Sequence, residues 1–577
     1  MRVVFVIVIV FLAFGWILFN LIKINILSYD IFRARMEYYT TYQVYSNPAR
    51  ANILDRKGYK IAYTEDRINI VLHKSRYNLL SLDEKEFVKG FVFRNFGVSN
   101  FEELLKDIYV DRVIVKNDPS YLDICLVMEN MMYLYGLDVY IDYRRSYLSG
   151  PAFAFVCGFV NIPYREDIEK DESLRYYAYV GKSGLELQYD KELRGELGKN
   201  KYLMDPSGHP VKIIEEIPAK RARDLRTTID KNLQEFAYRE LRRLCDDLSR
   251  KNMQPVGGSV IVMKVNGEVL SLLSYPSFYP ASLEPDCNEV IRDYPDFSCF
   301  YNRAISGEYP AASTFKIITS IAALEEGIIN PNSRIYCGGV FYVGSHPFYC
   351  FNTYGHGSMD VVEALAFSCD VFYYTLGYKL GIKRIKKYSE MLGLNNPTGI
   401  DLPFEATGLI PDEEWKMENL SEGWTSGDDV NISIGQGLSL VTPIQMAVVV
   451  ASVATGYKPV PYINSSKKPI LRKIPVDQKN LQVVRRGMEM AIEVGTANVI
   501  KTMVRRFKVA GKTGTAEVTP NYNNPKGLNN TWFVGYFGLN NPEFVIVVSL
   551  EASGGYGGQY ASTLAAKIIN YIENQQL

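Results

Sequence analysis

Residues 309–327 read YPAASTFKIITSIAALEEG and place a serine and a lysine at the head of an apolar run. Apolar residues recur there at helical spacing: Ile317, Ile318, Ile321, Ala322 and Leu324. The spacing predicts a buried helix that begins near Ser313 and ends before Gly327. Residues three apart share a helix face, so we expect the Lys316 amine to reach the Ser313 hydroxyl. About two S-x-x-K matches arise by chance in a chain of this length. Alone, the pair is equally an N-capping serine beside a surface lysine.

Two further short motifs follow in order, Ser368-Cys369-Asp370 and Lys512-Thr513-Gly514. The ordered set S-x-x-K, S-x-D and K-T-G is typical of enzymes in which a serine forms an acyl-enzyme. The glycine-lysine-threonine piece does not fit a phosphate loop, because Arg506 stands where that loop needs a glycine. A Ser-His-Asp hydrolase is disfavoured as well, since the chain has four histidines and no G-x-S-x-G motif.

The chemistry explains why these residue types are needed. A serine hydroxyl is a poor nucleophile until a base removes its proton, and Lys316 is the candidate base if its amine is neutral. Lys512 would help to keep that amine neutral and would bind a substrate carboxylate. Ser368 would pass the proton to the leaving amine. Asp370 completes the candidate catalytic set, although a carboxylate near two lysines favours their charged forms.

Residues 513–515, directly after Lys512, are the substrate-binding residues that the sequence predicts. The hydroxyls of Thr513 and Thr515 would assist Lys512 in holding the carboxylate. Gly514 would let the strand approach the ligand closely. The backbone N–H groups of Ser313 and Thr515 would hold the oxyanion.

The chain has 577 residues, of which 47% are hydrophobic, and 64 basic residues balance 64 acidic ones. Zero net charge argues against nucleic acid as the main partner. The length allows several domains with substantial cores. Residues 257–276 predict a hairpin that turns at Asn266-Gly267, and three more strands precede a closing helix near the end of the chain. We therefore expect an α+β domain in which an antiparallel sheet, flanked by helices, joins the two ends of residues 226–577.

The first residues are apolar from Val3 to Ile22, with Asn20 as the one strongly polar side chain, which is long enough to cross a bilayer. We predict a transmembrane anchor at residues 1–25 and an elongated mixed pedestal domain at residues 26–225. The alternative is a cleaved signal peptide, but the apolar run continues past Gly15. Positive charges lie on both sides of the span, at Arg2, Lys23, Arg33 and Arg35, and orient it weakly.

Beyond the three motifs, several segments resemble one family: RANILDRKGYKIA (50–62), WTSGDDVNISIGQGLSLVTPIQMA (424–447) and VAGKTGTAEV (509–518). The chain resembles the class B penicillin-binding proteins, and within them the elongation-type penicillin-binding protein 2 group, over almost its entire length. It departs from the family pattern at Ala51, where glycine is usual, and at Ala311-Ala312, where Pro-Gly is usual. Asp370 replaces the commoner asparagine, as in many elongation-type members.

This resemblance implies peptidoglycan D,D-transpeptidation in cell-wall elongation and cell-shape maintenance, without a cofactor for catalysis. Ser313 would attack the penultimate D-alanine of a stem peptide, and β-lactams would acylate the same serine. The implied partners are stem peptides and a polytopic membrane glycosyltransferase. The implied location is a single-pass protein of the bacterial inner membrane with its catalytic domain on the periplasmic side. The alternatives are a division-type transpeptidase, a β-lactamase, and a β-lactam sensor or scaffold that activates a glycosyltransferase.

Eight cysteines are few for a disulfide scaffold of this size. Four zinc-competent side chains are spaced C-x12-C-x5-H-x12-C, namely Cys337, Cys350, His356 and Cys369, and His346 is a substitute ligand. Some elongation-type relatives hold zinc at corresponding positions with other ligand types. The alternative to a structural zinc is a Cys337–Cys350 disulfide. A second pair, Cys287 and Cys299, flanks a polar loop.

Overall fold

The computed structural model describes residues 2–23, 41–105, 112–148, 150–204 and 210–575. The first element is a helix, Arg2–Ile22, and within the described part it is the one helix long and apolar enough to cross a membrane. Its side chains from Val4 onward are not buried by the chain. The predicted end of the anchor at residue 25, the start of the pedestal at residue 26, and Arg33 and Arg35 lie outside the described residues.

The backbone packs into two compact units. The first consists of Met1–Ala51, Asn161–Val180 and Lys191–Arg223. It contains an antiparallel sheet in the order Thr41–Ser46, Gly198–Met204, Pro210–Ile217. A short helix at Arg165–Lys170 and a 3-10 turn at Glu172–Tyr176 belong to the same unit.

The second unit comprises Asn52–Val160, Gly181–Asp190 and Asp224–Leu577. Its N-terminal part has a mixed sheet in which the long strand Lys60–His73 pairs with Ile53–Leu54, Arg112–Asn117 and Leu137–Tyr147, and Ile53–Leu54 pairs in parallel with Leu225–Arg226. Helices flank this sheet at Lys74–Asn78, Leu82–Phe96, Phe101–Leu104 and Tyr121–Glu129. Ile70 and Leu72 of the long strand pack against Val88 and Val92 of the second helix. The sequence predicts a strand at RINIVLHK (67–74) and a helix at DEKEFVKGFVFRNFG (83–97), and both are confirmed.

The C-terminal part of the second unit is built on a five-stranded antiparallel sheet. Its strands are β1 (Gly257–Lys264), β2 (Val269–Tyr275), β3 (Lys508–Ala516), β4 (Asn530–Gly538) and β5 (Phe544–Glu551), in the order β2-β1-β5-β4-β3. Gly267, at the turn between β1 and β2, has φ of +97°, which glycine adopts without strain. The predicted hairpin and the sheet that joins both ends of this region are confirmed.

Helices cover this sheet and carry the loops of the site. The main ones are α1 (Lys231–Asn252), α2 (Lys316–Glu325), α3 (Asp370–Leu392), α4 (Pro443–Thr455) and α5 (Ala561–Gln575). The others are Glu289–Arg292, Val361–Ala366, Glu413–Leu420, Ser426–Ser433, Gln478–Glu493 and Val499–Met503. Asp230 caps α1 by accepting the N–H groups of Asn232 and Leu233. Almost all of α4 is buried, because its residues are apolar on every side.

Short strand pairs lie between α2 and α3. They are Ile335–Cys337 with Gly357–Met359, and Val340–Val343 with His346–Tyr349. Phe341 and Phe348 of the second pair pack against Tyr374 of α3. These contacts hold the cysteine-bearing loops beside the start of α3.

Candidate active site

The serine and lysine of the first motif lie where the sequence predicts a helix start. Residues Ala312–Phe315 form a 3-10 turn, and α2 continues from Lys316. Gly327 follows the helix end with φ of +65°. The Lys316 side chain is fully buried, whereas Ser313 is partly exposed and borders a cleft.

Ala312 holds a left-handed backbone conformation, with φ of +49°, immediately before Ser313. A side chain with a Cβ is strained there, which gives a physical reason for the glycine usual at this position. The conformation is held in place by the Ala312 N–H, which donates to the Gly435 carbonyl at 2.8 Å. The loop that contains Gly435 thus fixes the turn that presents the serine.

The Lys316 amine makes three contacts with the second motif. Its Nζ donates to the Ser368 carbonyl at 2.9 Å and to the Ser368 hydroxyl at 3.2 Å. It also forms an ion pair with Asp370 at 2.6 Å. Among the described residues the Ser313 hydroxyl has no hydrogen-bond partner, so the expected contact between this hydroxyl and the Lys316 amine is replaced by contacts with Ser368 and Asp370.

Ser368 also has a left-handed backbone, with φ of +59°. Strained conformations of this kind persist where the surrounding structure holds them, and they concentrate at functional sites. Here the conformation turns both the carbonyl and the hydroxyl of Ser368 toward Lys316. Two non-glycine residues beside the motifs, Ala312 and Ser368, therefore share this backbone conformation.

Lys512, the lysine of the third motif, is fully buried. Complete burial and the nearby charge of Lys316 lower its pKa well below the usual value, and Asp370 opposes this shift. Its Nζ donates to the Thr513 carbonyl at 3.0 Å. The sequence predicts that Lys512 keeps the Lys316 amine neutral, whereas in the structure the effect runs the other way, from the charge of Lys316 onto the pKa of Lys512.

The rest of the third motif lies on β3 beside the serine turn. The Thr513 hydroxyl shares a hydrogen bond of 2.7 Å with Thr496, and the Thr515 hydroxyl accepts the Gly557 N–H at 3.1 Å. A Cβ added at Gly514 would lie 3.1 Å from the Ala311 carbonyl and 3.1 Å from the Thr314 methyl. The missing side chain at Gly514 therefore leaves room for the turn that carries Ser313, whereas the sequence alone predicts that it leaves room for a ligand.

One cleft of about 700 Å³ brings the motifs together. Five of the predicted catalytic and substrate-binding residues line it, namely Ser313, Ser368, Asp370, Thr513 and Thr515, and so does the predicted zinc ligand Cys350. Lys316 and Lys512 are fully buried behind this surface. Other lining residues were not predicted, among them Tyr349, Phe351, Gln436, Glu517 and Tyr556. No spacing rule identifies them, because they come from separate loops that only the fold brings to the cleft.

The cysteine cluster lies next to the same motif. The ligand atoms of Cys337, Cys350, His356 and Cys369 all lie within 4.8 Å of one another. The His356 Nδ1 is 3.5 Å from the Cys350 sulfur and 3.7 Å from the Cys337 sulfur. Hydrogen bonds from Cys369 and His356 lower the pKa of the Cys350 thiol to about 3, against the opposing effect of burial. His346, the substitute ligand, packs instead against Phe348 and is not part of the cluster.

This donor set fits a zinc ion. Zn–S bonds of about 2.3 Å and Zn–N bonds of about 2.0 Å in a tetrahedron put sulfur and nitrogen ligands about 3.5 Å apart, close to the sulfur–nitrogen separations found here. All eight cysteines are free thiols, so the alternative Cys337–Cys350 disulfide is not formed in this structure. The cluster also touches the active site, because the Phe351 N–H, next to Cys350, donates to Asp370 Oδ2 at 2.9 Å.

Two family models match the chain. The penicillin-binding protein transpeptidase domain matches residues 257–570, and the penicillin-binding protein dimerisation domain matches residues 45–227. Both matches agree with the order of segments that the sequence predicts.

Named relatives and solved structures agree with these models. The peptidoglycan D,D-transpeptidase MrdA of Haemophilus influenzae is 27% identical, over 96% of this chain and 90% of that protein. A complex between penicillin-binding protein 2 and MreC from Helicobacter pylori matches with a TM-score of 0.77 and 25% identity, over 93% of this chain and 99% of the solved one. A structure of a peptidoglycan synthase complex that coordinates polymerization and crosslinking matches with a TM-score of 0.71 and 25% identity, over 98% and 97%. The chain therefore belongs to the penicillin-binding proteins, as an enzyme with their serine-type transpeptidase domain and the architecture of penicillin-binding protein 2.

Proposed function

We propose that this protein is a peptidoglycan D,D-transpeptidase that crosslinks stem peptides through an acyl-enzyme on Ser313. The observation that carries the proposal is the cleft in which Ser313 lies beside Ser368 and Asp370, with the buried Lys316 bonded to both of them. The name of the Haemophilus influenzae relative supports the same activity.

In the proposed reaction the Ser313 oxygen attacks the carbonyl of the penultimate D-alanine. Lys316, once its amine is neutral, accepts the hydroxyl proton. The Ser368 hydroxyl, 3.2 Å from that amine, carries the proton to the leaving terminal D-alanine. The acyl group then passes from Ser313 to an amine on a neighbouring stem, and the serine regains its proton.

The remaining residues of the site bind the substrate and stabilise the oxyanion. Lys512 pairs with the substrate carboxylate, and the neighbouring hydroxyls of Thr513 and Thr515 complete that contact. A bound carboxylate favours the charged form of Lys512, which burial disfavours in the free protein. The backbone N–H groups of Ser313 and Thr515 hold the oxyanion, since one lies on the tight turn and the other on β3, both rigid before the reaction.

A labelled β-lactam tests the nucleophile. The native protein is expected to carry a stable label on the peptide that contains Ser313. Ser313→Ala is expected to carry none. Ser320→Ala, which changes another serine on the same helix α2, is expected to keep the label. A label that persists in Ser313→Ala contradicts the assignment. Rapid loss of the label from the native protein indicates a β-lactamase, and labelling without crosslinking of stem peptides indicates a sensor or scaffold.

We further propose a role in cell-wall elongation and cell shape, with the N-terminal helix as a single-pass anchor in the inner membrane and the enzyme domain on the periplasmic side. A polytopic membrane glycosyltransferase is the proposed partner, in line with the match to a peptidoglycan synthase complex. Depletion in the native host should give rounded cells, and filamentous cells would indicate a division-type enzyme. A periplasm-dependent reporter fused after residue 577 tests the orientation.

The proposed domain division is an anchor at residues 1–25, a pedestal at 26–225 and a transpeptidase domain at 226–577. The start of the pedestal model at residue 45 and its end at residue 227 support it. Limited proteolysis tests the second boundary. A stable fragment that begins near residue 226 and still binds a β-lactam supports the division, and cleavage that destroys the domain contradicts it.

A structural zinc held by Cys337, Cys350, His356 and Cys369 is also proposed. Three thiolates and one imidazole would make a closed tetrahedral site, and the metal would supply stability to the loops around the second motif. Elemental analysis of the purified protein should give one zinc per chain. No zinc, together with a Cys337–Cys350 disulfide in peptide mapping, contradicts the site.

A further inference from the structure

The second cysteine pair lies outside the zinc cluster. Cys287 and Cys299 are 7% and 9% exposed, and their thiols hydrogen-bond each other. Within the described ranges the pair lacks a third cysteine, histidine or carboxylate placed to complete a metal site. One nearby cation is Arg292, which hydrogen-bonds the Cys287 thiol. A guanidinium at this position repels a metal ion and stabilises a thiolate.

Cys287 is held by its two neighbours in the chain. The Asp286 carboxylate accepts the Tyr238 hydroxyl at 2.6 Å and pairs with Arg242 at 3.0 Å. The Asn288 amide donates to Asp246 at 2.8 Å. Both contacts tie this segment to α1. The Cys287 sulfur therefore has a defined position relative to the body of the domain.

Cys299 is held from the other side by Arg303. The Arg303 Nη1 donates to the Ser298 carbonyl at 3.1 Å, and its guanidinium lies over the Phe297 ring at 4.4 Å. Its Nε pairs with Glu551 at the end of β5 at 2.7 Å. Two rigid supports thus bring the two sulfur atoms together across the loop 288–298.

We propose that Cys287 and Cys299 form a disulfide in the mature protein. This inference rests on the proposed periplasmic location, because an oxidising compartment is where such bonds persist. Burial closes the folded pair to a bulky oxidant, so the bond forms while the loop 288–298 is still open during folding. Once formed, it joins α1 to the segment that leads through Arg303 to the Ser313 turn.

The oxidant is a disulfide, either of a thiol–disulfide oxidoreductase or of a small molecule. The Cys287 thiolate attacks one sulfur of that disulfide, whose S–S bond breaks and releases one thiolate. The Cys299 thiol gives its proton to solvent and attacks the Cys287 sulfur, and the second thiolate of the oxidant leaves. Two electrons pass to the oxidant, which ends as a dithiol after it takes up two protons.

The full chain, expressed with its own N-terminal helix, is denatured in an alkylating reagent without reductant and mapped by mass spectrometry. The peptides that contain Cys287 and Cys299 are expected to be linked, two hydrogens lighter than their sum, and to separate on reduction. Cys125 and Cys157 serve as internal controls that become alkylated. Alkylation of Cys287 and Cys299 to the same extent as these controls overturns the proposal.

Thermal unfolding gives a second readout. Reduction is expected to lower the Tm of the native protein by a few °C, as loss of a loop-closing bond does. The double variant Cys287→Ser/Cys299→Ser should melt like the reduced native protein and respond less to reductant. An equal response of the native protein and the double variant to reductant overturns the proposal. Acylation of Ser313 by a β-lactam is followed in the same samples. An acylated protein with free Cys287 and Cys299 contradicts the disulfide but not the enzyme activity. A disulfide-linked protein that is not acylated contradicts the proposed enzyme activity but not the disulfide.

Discussion

Lys316 and Asp370 form an ion pair of 2.6 Å at the centre of the site, and the lysine side chain is fully buried. Asp370 Oδ2 also accepts the Phe351 N–H at 2.9 Å, next to Cys350 of the zinc-competent cluster. One carboxylate therefore contacts both the candidate base and the loop that carries the cysteines. Replacing Asp370 by asparagine or by alanine therefore tests its charge and its hydrogen bonding separately.

Asp370→Asn is expected to lower the Tm, but by less than Asp370→Ala does. The amide removes the negative charge paired with the buried Lys316, while its oxygen still accepts a hydrogen bond from the lysine amine. Thermal unfolding of both variants and of the native protein checks this.

The matched comparison is Asp370→Ala, which leaves a buried lysine without its counter-charge. A variant of this kind is expected to lose about 3–5 kcal/mol of stability, seen as a lower Tm. Equal losses of Tm in Asp370→Asn and Asp370→Ala contradict the part given to the hydrogen bond.

The loss of β-lactam binding at alkaline pH is expected to come from deprotonation of Lys512. Its pKa is lowered well below the usual value by burial and by Lys316, so the amine loses its charge as pH rises through that lowered value. Carboxylate binding needs the charged form, and affinity should therefore fall at a pH well below 10.5, the usual lysine pKa.

Lys512→Arg is the control, because a guanidinium stays charged throughout this range. Its affinity for the β-lactam is weaker at neutral pH, since the larger group must fit a fully buried position, but it should not fall on the alkaline side. Binding of the native protein that stays constant to pH 10 contradicts the assignment.

Ala312→Gly is expected to stabilise the protein. A left-handed alanine costs about 1–2 kcal/mol relative to a relaxed backbone, and the greater freedom of glycine in the unfolded chain offsets about 0.4–1 kcal/mol of that gain. The Tm should rise by roughly 1 °C.

Ala311→Gly supplies the comparison at the neighbouring residue. Ala311 has φ of −68°, an ordinary helical value, so glycine there relieves no strain and should lower the Tm. Equal shifts in the two variants would show that the backbone conformation at Ala312 is not the cause.

Loss of one ligand of the cysteine cluster is expected to slow acylation without abolishing it. Cys350→Ser removes a thiolate next to Phe351, and the backbone N–H of Phe351 holds Asp370. Bound zinc should fall below one per chain, and the acylation rate should drop by about tenfold or more, as for groups that orient a site without reacting.

His346→Ala is the matched control, because this histidine packs against Phe348 outside the cluster. It should retain both zinc and activity. Full acylation activity in Cys350→Ser would show that the cysteine cluster does not support the active site.

The sequence alone determined the elements of this protein. Apolar spacing predicted α2, the Asn266-Gly267 turn predicted the hairpin of β1 and β2, and the apolar run at the N-terminus predicted the first helix. The ordered motifs predicted which residues meet at the site. These features depend on neighbours within a turn or a strand, so short-range physics is enough to read them.

Only the tertiary structure decided how those residues interact. The Lys316–Asp370 contact joins residues 54 positions apart, and packing of α2 against α3 brings them together. Burial and the charge of Lys316 together lower the pKa of Lys512, and Gly514 serves the serine turn because β3 passes beside it. The convergence of the cysteine cluster and the contact between Cys287 and Cys299 likewise arise from loops held on separate supports. Burial and long-range contacts set charge state and reactivity, and no local pattern in the chain encodes them.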